Sequence, residues 1–207
     1  MPTPQETPPD PQPVGRSQLI NSAIRAVGVH GRKGATVRII ADDASVTPGL
    51  ITHHFDTKAH LLEEADQVVA NRFSEAMTTP AEKLSADETI KTIAGQLSTL
   101  IGADPELRAY VRRSLLEATS SGAAIFDQLV DVTAKQLQKY LPEKATTDKD
   151  LRWTAAQVVA INLAGLIYEP FLDKWTKHPP FSADEVARRT NANARFIHAG
   201  VTDALSI

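Results

Sequence analysis

The sequence of 207 residues contains no cysteine, only two methionines and two tryptophans, and only 5% aromatic residues. The absence of cysteine excludes disulfide bonds, thiolate nucleophiles and every cysteine-ligated metal site. The longest apolar stretch, residues 158–168, is interrupted by Asn162 and is too short to cross a bilayer. The amino terminus has neither a basic start nor an apolar stretch, unlike a signal peptide. These absences predict a cytoplasmic protein without a membrane partner.

Neither sign of charge predominates, because the net charge is only −3. This small net charge by itself argues against a nucleic-acid partner. The charge is unevenly distributed, however. Residues 16–60 carry six basic and three acidic side chains together with four histidines, whereas the rest of the chain is acidic overall. The length allows one or two domains. This asymmetry suggests a small polyanion-binding segment joined to a larger body.

Proline is concentrated at the amino end, where residues 1–13 hold six of the 13 prolines. Proline removes a backbone donor and little apolar surface is present there, so we predict that residues 1–14 form a disordered tail. Downstream, apolar side chains recur at intervals of three and four residues, which is typical of amphipathic helices. No stretch shows the sustained alternation of a half-buried strand. The sequence therefore predicts an all-α fold of about nine helices.

Two short helices are predicted within residues 36–55, over residues 37–44 and 48–54. Val46 lies in the connection, where it can fill the angle between them. Thr47 and Pro48 suit the cap and the first turn of the second helix. Two short helices packed at a steep angle around a small apolar side chain form a helix-turn-helix. The segment therefore predicts DNA binding, with the second helix in the major groove.

The same segment resembles the DNA-binding domain of the TetR family of transcriptional regulators. The resemblance covers about residues 16–62, and the matching positions are Thr36, Ile40, Ala41, Ala44, Val46, Thr47, Gly49, Ile51, His54, Phe55, Thr57, Lys58 and Leu61. Ser45 stands where the family usually has a turn glycine, and Thr52 where it commonly has a tyrosine that reaches a phosphate. The resemblance implies a three-helix DNA-binding domain at residues 15–60 and a helical effector-binding and dimerisation domain at residues 61–207.

The candidate DNA contacts lie on the two short helices and at the start of the next. Thr36 and Thr47 are helix caps, which also present main-chain N–H groups to a phosphate. Gly49 and Leu50 are the best candidates for contact with base edges, since glycine permits close approach and leucine can touch a thymine methyl. The full candidate set is Thr36, Arg38, Thr47, Pro48, Gly49, Leu50, Thr52, His53 and Lys58.

Several candidates have alternative explanations. Arg38 is equally well explained as a solvated surface charge, whereas Lys58 opens a helix, where a cation is unfavourable unless a phosphate lies nearby. We expect no metal at His53 and His54, because adjacent helical residues point about 100° apart. No cofactor motif and no catalytic constellation is present at a recognisable spacing. The alternative functions are a ligand-independent activator or structural DNA-binding protein and, least favoured, a helical enzyme.

The larger region predicts two further surfaces. Helices over residues 58–142 are expected to enclose an effector cavity, with candidate lining residues Phe73, Met77, Leu97, Tyr110, Arg113, Leu116, Glu117, Phe126 and Trp153. Two helices near the carboxyl end are expected to form a four-helix bundle with a second copy, through Ala156, Val159, Leu163, Ile167, Val186, Thr190, Ala194, Ile197 and Val201. The alternative for both sets is ordinary core within one protomer.

One helix-turn-helix contacts few base pairs, so useful specificity needs two copies. Together with the resemblance, this predicts a homodimeric repressor that binds a palindromic double-stranded DNA operator. The resemblance further implies release from the operator by a small-molecule effector. The mostly apolar wall predicts that this effector is lipophilic or aromatic.

Overall fold

A computed structural model describes residues 15–76, 86–138, 148–176 and 178–204. These residues form helices without any strand, which confirms the all-α prediction. In chain order the helices are α1 (Arg16–Gly34), α2 (Val37–Asp43), α3 (Pro48–Phe55), α4 (Lys58–Ala76), α5 (Ala86–Ala103), α6 (Pro105–Leu116), α7 (Ser120–Gln138), α8 (Asp148–Leu172) and α9 (Ala183–Ala204). The predicted tail, residues 1–14, lies outside the described residues.

The first three helices pack around a small apolar core. Leu19 and Ile24 of α1, Ile40 of α2 and Ile51 and Phe55 of α3 are each at most 2% exposed. Leu19, Ala23 and Val27 are buried at intervals of four residues, as are Ile51 and Phe55, so α1 and α3 each turn one apolar face inward. Full burial of a side chain of this size contributes about 1.5–3 kcal/mol. The local pattern therefore accounts for how α2 and α3 are held against α1.

The core of the first three helices continues into the rest of the molecule through α1 and α6. Gly28 allows their close approach, because a methyl group there would lie 3.0 Å from the Ala109 side chain and 3.2 Å from the main-chain nitrogen of Tyr110. Buried residues from α1 to α8 form one hydrophobic cluster. The division into domains at residue 60 stays a prediction.

Helix α8 packs along α7 in the larger half of the molecule. Among the residues that the structure describes, its segment Asp150–Leu172 is long and apolar enough to cross a membrane by length and composition. The apolar stretch at 158–168, interrupted by Asn162, was too short to suggest this. A single such helix is weak evidence, since the core helices of soluble proteins pass the same test. We assign α8 to the core, where one of its faces lines a cavity.

Candidate nucleic-acid interface and effector cavity

The turn between α2 and α3 closes tightly around Val46. The main-chain nitrogen of Ser45 donates to the Asp42 carbonyl (3.1 Å), and that of Val46 donates to the Ala41 carbonyl (2.9 Å). Val46 packs against the hydrophobic core, as the sequence predicted. Ser45 has a φ of 56°, in the left-handed region that favours glycine. The position at which the sequence departs from the family pattern is therefore a strained one.

Replacing Ser45 by glycine should stabilise the protein, because glycine adopts a positive φ without a clash between Cβ and the backbone. We expect S45G to raise the free energy of unfolding by about 0.5–1 kcal/mol, measured by urea titration. The matched control is A123G in α7, an exposed position in ordinary helical backbone. That control should lose about 1 kcal/mol. A loss of similar size for S45G would contradict the strain at Ser45.

The outer face of α3 is exposed to solvent. Seven of the nine predicted DNA contacts are exposed, namely Thr36, Arg38, Thr47, Pro48, Gly49, Thr52 and His53. Leu50 is half-buried, and Ile51 and Phe55 occupy the opposite, buried face of the helix. Packing thus fixes α3 from one side and leaves the other side able to enter a groove.

The two predicted caps behave differently. The hydroxyl of Thr36 accepts a hydrogen bond from the main-chain nitrogen of Ile39 (3.2 Å), as a cap should. Thr47 occupies the cap position of α3, but its side chain accepts no hydrogen bond from the helix. Only its carbonyl is used, by the main-chain nitrogen of Leu50 (3.0 Å). Thr47 is therefore the N-cap of α3, as predicted, but through its main chain alone, and the first turn of α3 keeps donors that a phosphate could meet.

Lys58 is explained by a partner within the chain. Its ammonium donates to the main-chain carbonyls of Arg32 (3.0 Å) and Lys33 (3.4 Å), at the carboxyl end of α1. A cation is favourable there, because the last carbonyls of a helix carry partial negative charge. Contact between Lys58 and DNA stays a prediction that requires the ammonium to leave these carbonyls.

Arg16 of α1 contacts the helices on both sides of the α3–α4 connection and holds α3 in place, and sequence reasoning did not single it out. Its guanidinium pairs with Glu64 of α4, donates to the carbonyl of His54 and lies 4.3 Å from the ring centroid of Phe55. The hydrogen bond from Arg16 lowers the pKa of the Glu64 carboxyl below its ordinary value. The partners lie 38 and 48 residues away in sequence, so no local pattern could have revealed them.

A polar network joins α1, α4 and α6. The Arg32 guanidinium donates to both carboxylate oxygens of Asp66 at 2.9 Å, and the buried Tyr110 hydroxyl donates to the same carboxylate. Burial and this hydrogen bond raise the pKa of Tyr110 well above its usual range. Arg113 pairs with Glu117 (2.6 Å), whose other oxygen accepts from the main-chain nitrogen of Arg32 (3.2 Å). Three predicted cavity residues, Tyr110, Arg113 and Glu117, thus lie in this network and do not line the cavity formed by α4, α5, α7, α8 and α9.

A cavity lies among α4, α5, α7, α8 and α9. The free space inside it is about 70 Å³, room for a few water molecules, so a larger ligand has to displace side chains of the wall. Its wall is mostly apolar and includes Phe73, Leu97, Ile101, Leu129, Leu137 and Leu166. Phe73 and Leu97 were predicted to line it. A concave and mostly apolar site with a few polar groups is the usual form of a small-molecule site.

The remaining predicted lining residues lie elsewhere. Leu116 and Trp153 are 59% and 63% exposed, so the structure contradicts their place in the wall. Phe126 is half-buried and packs against the core outside the cavity. Met77 lies outside the described residues. Periodicity shows which helix positions are apolar, but not whether they face a cavity, solid core or solvent.

Four of the nine predicted dimer residues face into their own protomer. Val159 and Leu163 line the cavity, Ile197 is 5% exposed, and the Thr190 hydroxyl lies 3.2 Å from that of Ser98 in α5. Ala156, Ile167, Val186 and Ala194 are half-buried. The side chain of Val201 lies outside the described residues. The alternative of core within one protomer therefore accounts for these buried residues, because small side chains also let α8 and α9 pack closely inside one chain.

A different face of α8 is left uncovered. Its exposed positions are Trp153, Gln157, Ala160, Tyr168 and Phe171, and the three aromatic side chains are 63%, 56% and 64% exposed. Spacings of three, four and eight residues place these positions on one side of the helix. An exposed apolar stripe of this kind typically marks an interaction surface.

The part of the chain that the structure describes holds no group of three histidine, aspartate or glutamate side chains able to bind a metal ion.

Comparison with known proteins identifies a family whose model matches the segment around α2 and α3. The family model described as bacterial regulatory proteins, tetR family, matches residues 19–65. The HTH-type transcriptional regulator BetI of Serratia proteamaculans is 36% identical over 74 residues, which cover 36% of this chain. The chain spans only 37% of that relative's length.

Solved structures match over most of the chain. A TetR-like transcriptional regulator from Rhodococcus sp. RHA1 gives a TM-score of 0.70 at 18% identity, covering 90% of this chain and 94% of that one. SmeT, the repressor of the Stenotrophomonas maltophilia multidrug efflux pump SmeDEF, gives 0.66 at 18% identity, with coverage of 90% and 89%. At these identities the likeness shows that the fold is shared.

Proposed function

We propose that the chain is a member of the tetR family of bacterial regulatory proteins and acts as a homodimeric transcriptional repressor, released from its operator by a small lipophilic molecule. The observation that carries the proposal is the exposed outer face of α3. Ile51 and Phe55 pack the inner face of the helix into the core, while Thr47, Gly49 and His53 face solvent. The proteins that this chain resembles are named as transcriptional regulators, which supports the expectation that it is not an enzyme.

In this proposal α3 enters the major groove, while its first turn and Arg38 of α2 contact the phosphates. Gly49 and Leu50 lie against base edges, and the first turn of α3 offers main-chain donors to a phosphate. Arg38 is 87% exposed and lies 4.0 Å from Asp42, so its guanidinium can turn towards DNA at little cost. Such a protein works beside the chromosome, so we place it in the cytoplasm.

The uncovered stripe of α8 supports a dimer. A second copy would cover its aromatic side chains and place two α3 helices on a palindromic operator. Replacing Phe171 by glutamate should therefore convert the dimer to a monomer, because a carboxylate cannot be buried without a partner. Analytical ultracentrifugation measures the mass. V29E is the matched control, since Val29 is 69% exposed on α1, outside the stripe. An F171E protein that stays dimeric would exclude this face.

Helix α4 offers a route from the cavity to the recognition helix. Phe73 lines the cavity, and Asp66, seven residues earlier on the same helix, holds Arg32 of α1. A ligand that displaces Phe73 would move Asp66 with it. The movement would shift α1 and the α3 helix packed on it, and so change the spacing of the two recognition helices. The cavity thus favours a ligand-responsive regulator over a ligand-independent activator.

Footprinting of the DNA upstream of the protein's own gene tests the proposal. A dimeric repressor should protect a two-fold-symmetric site, and its affinity should fall steeply as salt rises, because bound phosphates release counterions. Transcription from the protected promoter in vitro should decrease when the protein is added. No protection, or increased transcription, would overturn the repressor proposal.

A further inference from the structure

Two arginines share one carboxylate beside the cavity, and a third arginine lies close to them without contacting that carboxylate. Glu169 of α8 is shared, since one of its oxygens accepts from Arg108 (2.9 Å) and the other from Arg112 (3.0 Å). The guanidinium carbons of Arg108 and Arg189 lie 4.4 Å and 4.5 Å from the ring centroid of Phe181. The cluster therefore carries more positive than negative charge.

Arg189 is the member of this cluster that lacks a counter-ion. In the described part of the chain no carboxylate lies within 4.0 Å of it, and its hydrogen bond to the Pro180 carbonyl is long at 3.4 Å. The side chain is half-buried, and burial together with the charge of Arg108 lowers its pKa. A charge withdrawn from water is costly unless an opposite charge pairs with it. An anion would remove this cost.

The arginine without a counter-ion faces the cavity. Among the described residues that line the cavity, Arg189 is the only charged one, and most of the others are apolar. Asn162 is a neutral polar neighbour, held by hydrogen bonds to the Val158 carbonyl (2.8 Å) and to Asn193 (3.3 Å). The cavity thus combines a long apolar wall with a single positive charge.

The backbone of α8 makes room for this guanidinium at Gly165. A methyl group at that position would lie 2.9 Å from Nη1 and 3.1 Å from Cζ of Arg189. Contacts of that length are too short, so any larger residue would push the guanidinium away. The position of the charge therefore depends on α8 as well as on α9.

We propose that this cavity takes an amphiphilic monoanion, an apolar chain ending in one carboxylate. The carboxylate pairs with Arg189, while the chain lies against Phe73, Leu97 and Leu129. A planar guanidinium matches a carboxylate better than it matches a hydroxyl, because it can donate two parallel hydrogen bonds. The inference rests on the proposed function only in taking this cavity as the effector site.

The test compares straight-chain alkanoates with alkanols of equal length, each kept below its aggregation limit, by calorimetric titration of the full chain. The best alkanoate should bind about ten- to hundredfold more tightly than its alkanol, as expected for a charge-assisted hydrogen bond. R189Q should remove this difference and leave alkanol binding unchanged. R188Q is the matched control, since Arg188 is the exposed neighbour on α9, and it should keep the preference.

A second variant guards against misfolding of R189Q. G165A keeps the arginine and favours the helix, yet it displaces the guanidinium, so it should weaken alkanoate binding while leaving alkanol binding nearly unchanged. Equal binding of alkanoates and alkanols to the unaltered protein, or no binding of alkanoates, would overturn the inference.

Operator protection separates this inference from the proposed function. If alkanoates bind through Arg189 but the footprint persists, the anion site stands and the effector role of the cavity fails. If alkanols bind as tightly as alkanoates and release the DNA, the regulator stands and the anion site fails.

Discussion

Replacing Gly49 by glutamate should abolish specific DNA binding while leaving the protein as stable as before. Gly49 is exposed, and a methyl group there would meet nothing nearer than the Thr47 hydroxyl at 4.0 Å. A carboxylate in the first turn of α3 is even favoured by the helix dipole. In the complex, however, the same carboxylate would lie in the groove among phosphates. We expect a loss in operator affinity of at least about a hundredfold, since like charges brought together cost several kcal/mol.

Fluorescence anisotropy with the footprinted operator measures this affinity, and urea titration measures stability. The matched control is A123E, which adds the same charge at an exposed position of α7. It should bind the operator as the unaltered protein does. Binding of G49E at the normal affinity would show that the outer face of α3 does not contact DNA.

Replacing Gly31 by alanine should destabilise the protein by about 3 kcal/mol. Gly31 interrupts α1 with φ 72° and ψ 169°, a conformation essentially confined to glycine. A methyl group there would also lie 2.2 Å from a carboxylate oxygen of Glu117 and 2.7 Å from Nε of Arg113. The substitution therefore strains the backbone and pushes apart Arg113 and Glu117, the ion pair whose carboxylate accepts a hydrogen bond from the main chain of α1.

Urea titration of G31A measures the loss of stability. G95A is the matched control, because Gly95 lies within α5 and a methyl group there meets nothing within 4 Å. It should gain about 0.5–1 kcal/mol, the usual advantage of alanine over glycine in a helix. If G31A were as stable as the unaltered protein, the kink in α1 would not depend on glycine.

The helix-turn-helix could be predicted closely because its determinants are local. Ile51 and Phe55 are four residues apart, which is enough to place them on one face of α3, and Val46 precedes that helix in the turn. The strain at Ser45 could also be anticipated, since one turn position decides it. The role of Arg16 could not, because its partners Glu64 and His54 approach only when α1, α3 and α4 pack together.

The surfaces of the larger region were predicted less well for the same reason. Val159 and Leu163 have the apolar character expected of a dimer interface, yet they line the cavity. Trp153 has the size expected of a cavity wall, yet it is exposed on α8. An apolar side chain can be buried by its own chain, by a ligand or by a second copy. The hydrophobic effect favours burial in all three cases alike, so the hydrophobicity of a residue does not identify what covers it.

The order of amino acids by itself determined the helical class, the place of α3 and the side chains that hold it against the core, and the resemblance of residues 19–65 to the tetR family. These depend on contacts between residues close in sequence, where a repeat of 3.6 residues limits which side chains can meet. Only the tertiary structure decided that Lys58 donates hydrogen bonds to the last carbonyls of α1, that Asp66 links α4 to α1, and that Arg189 faces the cavity without a counter-ion. Each of these depends on charges brought together from distant helices, and that arrangement follows from the packing of the whole core.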